Sequence, residues 1–357
     1  MILGAGRVSA SVAEYIGRTS HRQVIVASAD KHEVAAAARY ALRGKGVVLN
    51  VLSKNSGLSN LVDNADIVIS LLPANMHPRI LEECIRAGKN LVTASYAPTQ
   101  AENEPNLHER CQKAGITMLN EMGLDPGIDH LMVMRIVNSI RGRGGKVKSF
   151  VSVCGGLPAT EYYHSNPLRY KFSWSPVGAI KALDNPAMYR CKQQTIEISS
   201  SKLLASAFPV NIWPDLRYGL ECYPNRDSLK YGVLYGISEE ADTIFRGTLR
   251  YRGFCAIMEC LKDFGLLDNV KAEAVSWGEQ LDKMVSKHGC LSLFDCLSLL
   301  SGPERGTQGA EFLHWLGLLS SEEALTRPDS LLLSFCQILD QRLRYENDEF
   351  DMVSIVM

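Results

Sequence analysis

The chain has 357 residues, 46% hydrophobic and 22% charged. That is long enough for two or three domains with cores of their own and too apolar for a disordered chain. Lysine and arginine (38) balance aspartate and glutamate (39) to a formal net charge of -1, which excludes the basic surplus of a nucleic-acid binder and favours a small-molecule partner.

Over the first third, short apolar runs alternate with helical patterns, predicting a parallel sheet covered by helices. Strands are expected over 23–29, 47–51, 66–72, 90–94 and 116–119. Val8, Val12, Tyr15 and Ile16 form one helical stripe, and Ile80, Leu81, Cys84 and Ile85 another, with Gly17 and Gly88 as their C-terminal caps. Crossovers between such parallel strands should be right-handed.

Beyond Gly127 the texture changes. Residues 128–140 read as a helix and 146–154 as a half-buried strand, before a stretch rich in Pro, Tyr and Asn. Residues 255–344 read as mostly helical, with a stripe of Phe312, Trp315, Leu316 and Leu319, and 351–357 as a strand. The expected class is α/β: a Rossmann-type parallel-sheet domain over 1–126, and an α+β substrate domain over 127–254 and 347–357 into which an α-helical subdomain over 255–346 is inserted. Only Met1, Ile2 and Leu3 precede Gly4, against the roughly four to six residues of a usual strand. The first strand, and the end of the second domain, are therefore expected to be incomplete.

No run approaches the roughly 18 apolar residues of a membrane span, and the opening residues do not read as a secretory leader. The ten cysteines hold no C-x-x-C pair, so they read as reduced, mostly buried thiols, and no metal is expected.

The chemistry starts at Gly4, Ala5 and Gly6, between an apolar opening and an amphipathic helix. Small residues there permit a tight turn and let backbone N–H groups reach a pyrophosphate at the helix N-terminus. Ser9 takes the place of a third glycine. Asp30 ends the next strand, 24 residues after Gly6, near the spacing of a carboxylate that accepts the adenosine ribose hydroxyls. An acid there repels a 2′-phosphate, so NAD is expected and NADP disfavoured, although Lys31 weakens the choice. Ligands of open α/β sheets lie beyond the carboxyl ends of the strands, which puts Ser95, Tyr96 and Asp125 near the nicotinamide. A ligand-free packing turn, with Asp30 solvated and Ser95, Tyr96 and Asp125 capping loops, is the alternative. His77, before Pro78 at a helix start, and His130, after Asp129, read as capping or packing residues.

Several stretches place arginine among aromatic and turn residues, a composition suited to bidentate carboxylate binding. The motifs S-L-L-P (70–73), T-A-S-Y (93–96), G-L-D-P-G (123–127), C-G-G-L-P (154–158), N-P-L-R-Y-K-F-S-W-S-P (166–176), Y-P-N-R-D-S (223–228) and R-G-T-L-R-Y (246–251) occur in this order. With them the chain resembles the saccharopine dehydrogenase family over roughly residues 4–251, and more loosely beyond.

The resemblance implies NAD-dependent cleavage of L-saccharopine by water to L-glutamate and 2-aminoadipic 6-semialdehyde. Hydride leaves the carbon bearing the secondary amine, water adds to the imine, and the carbinolamine collapses. It implies substrate contacts at Ser95, Tyr96, Asp125, Arg226, Thr248, Leu249 and Arg250, with Arg169 a further cation. Tyr96 and Asp125 are the candidate proton carriers within reach, with binding of the substrate's ammonium the alternative role of Asp125. Cofactor contacts are implied at Gly4, Ala5, Gly6, Val8, Ser9, Ser28, Asp30, Leu71, Leu72 and Leu124.

The resemblance also implies a mitochondrial matrix location, with the cytoplasm as alternative, and a lysine-ketoglutarate reductase half in the full-length animal relative. No nucleic-acid or membrane partner is expected, and a homo-oligomer is left open. Two other readings stand beside it: a polyamine-pathway Rossmann oxidoreductase, and a truncated chain that only binds.

Overall fold

The computed structural model describes residues 1–53, 56–96, 106–211, 219–346 and 349–357, and the chain divides into two compact units, Met1–Met134 and Arg135–Met357. In the first, strands and helices alternate: β1 (Ile2–Leu3), α1 (Ser9–Gly17), β2 (Val24–Ser28), α2 (Lys31–Ala38), β3 (Gly44–Val48), α3 (Leu58–Asp63), β4 (Ile67–Ser70), α4 (His77–Ala87), β5 (Asn90–Thr93), α5 (Leu107–Lys113) and β6 (Met118–Leu119). All six strands are parallel, in the order β3-β2-β1-β4-β5-β6. The order reverses between β1 and β4, the switch point at which an open α/β sheet takes a ligand. Two-residue β1 is held by both neighbours: Ile2 lies between Val26 and Ile69, and Leu3 between Ala27 and Ser70.

Three local expectations are corrected, in whole or in part. Of the stripe predicted for α1, Val12 and Ile16 pack against the core, whereas Val8 and Tyr15 are 51% and 62% exposed; Ser9, Ala13 and Gly17 complete the inward face. Gly17 is the last helical residue rather than a cap, because a Cβ there would lie 2.3 Å from that of Ala41. Close helix packing selects small residues, which hydrophobic periodicity does not register. Gly88, by contrast, does cap α4, in the left-handed region with φ +64°. Strand β3 begins three residues before its expected start, at Gly44. Strand propensity argues against glycine, but Cβ atoms at Gly44 and Gly46 would meet Ala38 O at 1.8 Å and Val34 Cγ1 at 2.6 Å on α2.

Helix α6 (Ile128–Gly142) leads into the second unit, whose elements are β7 (Ser149–Pro158), α7 (Pro176–Ala182), β8 (Ala187–Cys191), β9 (Gln194–Ile198), β10 (Phe208–Val210), β11 (Leu220–Pro224), α8 (Leu229–Leu234), β12 (Thr243–Tyr251), α9 (Phe254–Asp263), α10 (Trp277–Lys287), α11 (Leu293–Ser301), α12 (Pro303–Trp315), α13 (Leu331–Arg342) and β13 (Asp351–Val356). The sheet runs β10-β11-β12-β7-β13, with β8 on β12 and β9 on β8. Its one parallel pair is β7 with β12.

The helices α9 to α13 fall between β12 and β13, so the helical region is an insertion. Trp277, Phe312, Phe335 and Phe264, each at most 1% exposed, anchor its core. Burial of such a side chain is worth about 1.5–3 kcal/mol. Of the predicted stripe, Phe312 and Leu316 are buried, whereas Trp315 and Leu319 remain 37% and 46% exposed. The ten cysteines are all free thiols, seven of them buried. No helix among the described residues is long and apolar enough to cross a membrane.

Candidate active site

The glycine turn has the geometry of a dinucleotide cradle. Gly4 takes φ +97°, and a Cβ on it would press on the backbone of Leu71 at 3.1 Å; at Gly6 the same position meets nothing within 4 Å. One glycine therefore admits β4 and the other leaves open space. No side chain caps the first turn of α1 after Val8, so its amide dipoles are available to an anion. Ser9, fully buried, turns its Oγ back onto Gly6 O at 2.5 Å and stiffens the turn. Ser28 closes β2, and Leu71 and Leu72 leave β4 half-buried beside the turn.

Asp30 behaves differently from the expectation. Its Oδ1 accepts the N–H groups of His32 and Glu33 at 2.7 and 2.9 Å, making it the N-cap of α2. Those two bonds hold its carboxyl below the usual carboxylate range. An oxygen committed to two amides, at the positive end of a helix and next to Lys31, is poorly placed to repel a phosphate.

At the ends of β5 and β6, Ser95, Tyr96 and Asp125 come together. Tyr96 Oη donates to Asp125 Oδ1 at 3.5 Å, and the Glu121 amide donates to Ser95 O at 2.9 Å. The Asp125 loop is shaped by a cis peptide before Pro126 and by buried Asp129, whose Oδ1 accepts the Gly127 amide at 2.6 Å. Leu124, 46% exposed, projects from the same loop.

Both histidines make specific side-chain hydrogen bonds. His130 Nε2 lies 2.8 Å from Glu121 Oε2, and Glu121 holds a left-handed φ of +62°, the kind of local strain that collects at functional sites. His77, 7% exposed, bridges Ser70 Oγ (3.1 Å from Nδ1) and Ser95 Oγ (2.9 Å from Nε2). Burial keeps its pKa below the ordinary 6.5. Between those two values the unfolded chain binds more protons at this position than the folded one, so stability falls as pH drops below about 6.5. Melts between pH 7.5 and 5 are expected to show a smaller acid loss for His77→Gln than for the parent chain; equal losses would refute the assignment.

In the second unit Arg250 is the distinctive group. It is 7% exposed and lies over the rings of Tyr170, Phe254 and Tyr223 at 4.8, 5.0 and 5.9 Å. One nitrogen donates to Leu249 O at 2.7 Å, while Nε has no hydrogen-bond partner. No carboxylate among the described residues pairs with it: its cross-strand neighbour Glu221 instead accepts the Cys255 amide at 2.8 Å. A buried cation without a counter-ion is costly and suits an anionic ligand.

Thr248 stands opposite Tyr223 on β11 and bonds its phenol, which burial pushes up to about 12. Leu249 is fully buried in the sheet core, so its side chain is packing and only its backbone can face a ligand. Arg226 is exposed on the loop after β11, with φ +49°, and its carbonyl accepts the Met188 amide at 2.9 Å. Arg169 donates to Arg252 O at 2.5 Å, a structural tie. Tyr170, Tyr223 and Phe254 became visible as the surroundings of Arg250 only once the chain had folded.

A saccharopine dehydrogenase NADP binding domain model matches residues 1–119, and a saccharopine dehydrogenase C-terminal domain model matches 123–357. The chain is 37% identical to the saccharopine dehydrogenase [NADP(+), L-glutamate-forming] of Saccharomyces cerevisiae, over 99% of this chain and 79% of that protein. It is 37% identical to the alpha-aminoadipic semialdehyde synthase of Arabidopsis thaliana, of which it spans 36%. The structure of apo saccharopine dehydrogenase (L-Glu forming) from Saccharomyces cerevisiae superposes with a TM-score of 0.82 at 36% identity, covering 99% of this chain and 79% of that one. The expectation of NAD over NADP is overturned by the matched NADP-binding model and by relatives named for NADP(+). The capping bonds of Asp30 are the physical reason that its charge misled.

Proposed function

The chain belongs to the saccharopine dehydrogenase family, and on that premise we propose that it cleaves L-saccharopine oxidatively, with NADP+ and water, to L-glutamate and 2-aminoadipic 6-semialdehyde. The observation that carries the substrate class is Arg250, a buried guanidinium with no carboxylate of its own, because saccharopine brings three carboxylates. Bidentate pairing with one of them would satisfy the orphan Nε and a terminal nitrogen together. Arg226 is a second, exposed cation for the same ligand.

NADP+, when bound, supplies the hydride acceptor for the carbon next to the secondary amine. Gly4, Ala5, Gly6, Val8 and Ser9 would hold its pyrophosphate, Ser28 and Asp30 its adenosine end, and Leu71, Leu72 and Leu124 its apolar contacts. Removal of hydride from carbon and a proton from nitrogen leaves a C=N bond; water adds its oxygen to that carbon, and the C–N bond then breaks with a proton passing to nitrogen. Asp125 Oδ1 is the oxygen offered for the proton taken from water, with the Tyr96 hydroxyl positioning it. Ser95 holds the substrate by its hydroxyl.

The test is absorbance at 340 nm with purified chain, L-saccharopine and either cofactor. Turnover with NADP+ at a clearly higher kcat/KM than with NAD+ is expected. Asp30→Asn keeps the Oδ1 cap and deletes the charge, and should leave the KM for NADP+ and that for NAD+ nearly unchanged. Faster turnover with NAD+ would refute the cofactor reading, and no turnover with either would refute the activity. The mouse relative is named as mitochondrial, and we propose that compartment here, to be read by subcellular fractionation.

A further inference from the structure

Ser70 and Ser95 belong to two separate motifs, at the ends of adjacent strands β4 and β5, and the ring of His77 joins them. A neutral imidazole has one donor nitrogen and one acceptor nitrogen, so only two arrangements exist. If Nδ1 carried the proton, it would donate to Ser70 Oγ, and the Ser70 hydroxyl proton would need another acceptor. Ser70 is 1% exposed, and its side chain has no other partner among the described residues. If Nε2 carries the proton, Ser70 donates to Nδ1, Nε2–H donates to Ser95 Oγ, and the only proton left over is that of Ser95. Ser95 is half-buried, so its hydroxyl can still reach solvent or a ligand. A buried hydroxyl without an acceptor disfavours the first arrangement on the order of ten- to a hundredfold.

We propose that His77 is a positioning residue, locked as the Nε2–H tautomer, that leaves the Ser95 hydroxyl proton free, so that Ser95 meets the substrate as a hydrogen-bond donor. This rests on the reading above that Ser95 touches saccharopine. The group it then addresses carries lone pairs: a carboxylate oxygen, or the secondary amine nitrogen in its unprotonated form, the form that can give up hydride from the adjacent carbon. Burial, which disfavours the imidazolium, keeps the polarity of the chain the same at neutral pH.

Two measurements test this on the whole protein. Two-bond 1H–15N correlation spectra of histidine-labelled chain, assigned by comparison with His77→Gln, should show Nδ1 bare and Nε2 protonated; a protonated Nδ1 overturns the proposal. In kinetics, Ser95→Ala and His77→Phe should each raise the KM for saccharopine about tenfold with the KM for NADP+ unchanged. The double variant should be no worse than Ser95→Ala alone. His77→Gln, which restores an N–H near the Nε2 position, should recover most of the loss, and it also serves if His77→Phe does not fold. An effect of Ser95→Ala with none from His77→Phe overturns the positioning role. No effect of Ser95→Ala overturns the substrate contact itself, whereas absence of saccharopine turnover by the parent chain overturns the wider functional reading.

Discussion

Replacing Arg250 with Met is expected to stabilise the ligand-free protein and, at the same time, to lower kcat/KM for saccharopine about 10²- to 10³-fold. Both signs follow from one fact: a guanidinium 7% exposed, with its Nε unpartnered. In the free protein the cation bears its desolvation cost with only three aromatic rings and one carbonyl to offset it. Exchanging buried charged groups for apolar side chains of similar volume is worth about 1–4 kcal/mol, and Met packs well against Tyr170, Tyr223 and Phe254. A gain of that size raises the melting temperature of a unit this large by several degrees.

With substrate the sign reverses. Deleting one member of a buried charge pair costs about 3–5 kcal/mol, and each 1.4 kcal/mol is a factor of ten. Saccharopine should accordingly raise the melting temperature of the parent chain and not that of Arg250→Met. Calorimetry with and without saccharopine, beside steady-state kinetics, reads both effects. A variant that melts lower and keeps its KM would show that Arg250 is a structural residue.

The second large effect is expected at Asp125. Asp125→Asn preserves shape and removes the proton acceptor, so kcat should fall about 10²- to 10⁴-fold with the KM for saccharopine little altered. Tyr96→Phe removes the hydroxyl 3.5 Å from Oδ1 and should cost less, about tenfold, because it orients the carboxylate without replacing it. A rise in KM at constant kcat for Asp125→Asn would identify the carboxylate as a binder of the substrate's ammonium instead.

These expectations rest on groups that differ in how far they were legible. The α/β class, the inserted helical region and the family could be read directly, since alternation of apolar runs, a glycine turn and an ordered series of motifs are all local properties of the chain. The hydrophobic stripe placed half of its residues on the wrong side of α1, because close packing there demands Gly17 and Ala13, which contribute nothing to an apolar period. Leu249 was read as a contact from its place in a motif, and the fold shows its side chain filling the core. Asp30 was read from spacing alone. Its two closest partners are the amides of its own helix, and a carboxylate's partners, not its position, decide what it repels.

What the amino-acid order determined by itself is therefore the class and the family: a glycine turn opening a parallel sheet, an ordered series of motifs, and Ser95, Tyr96 and Asp125 as the polar groups at the strand ends. Tertiary structure alone decided which groups face each other. Arg250 draws its rings from positions 170, 223 and 254, and Ser95 receives its partner from His77, 18 residues earlier. The reason is physical. Burial and hydrogen-bond pairing are set by neighbours in space, and it is these that make one arginine a surface charge and another a buried cation among aromatic rings.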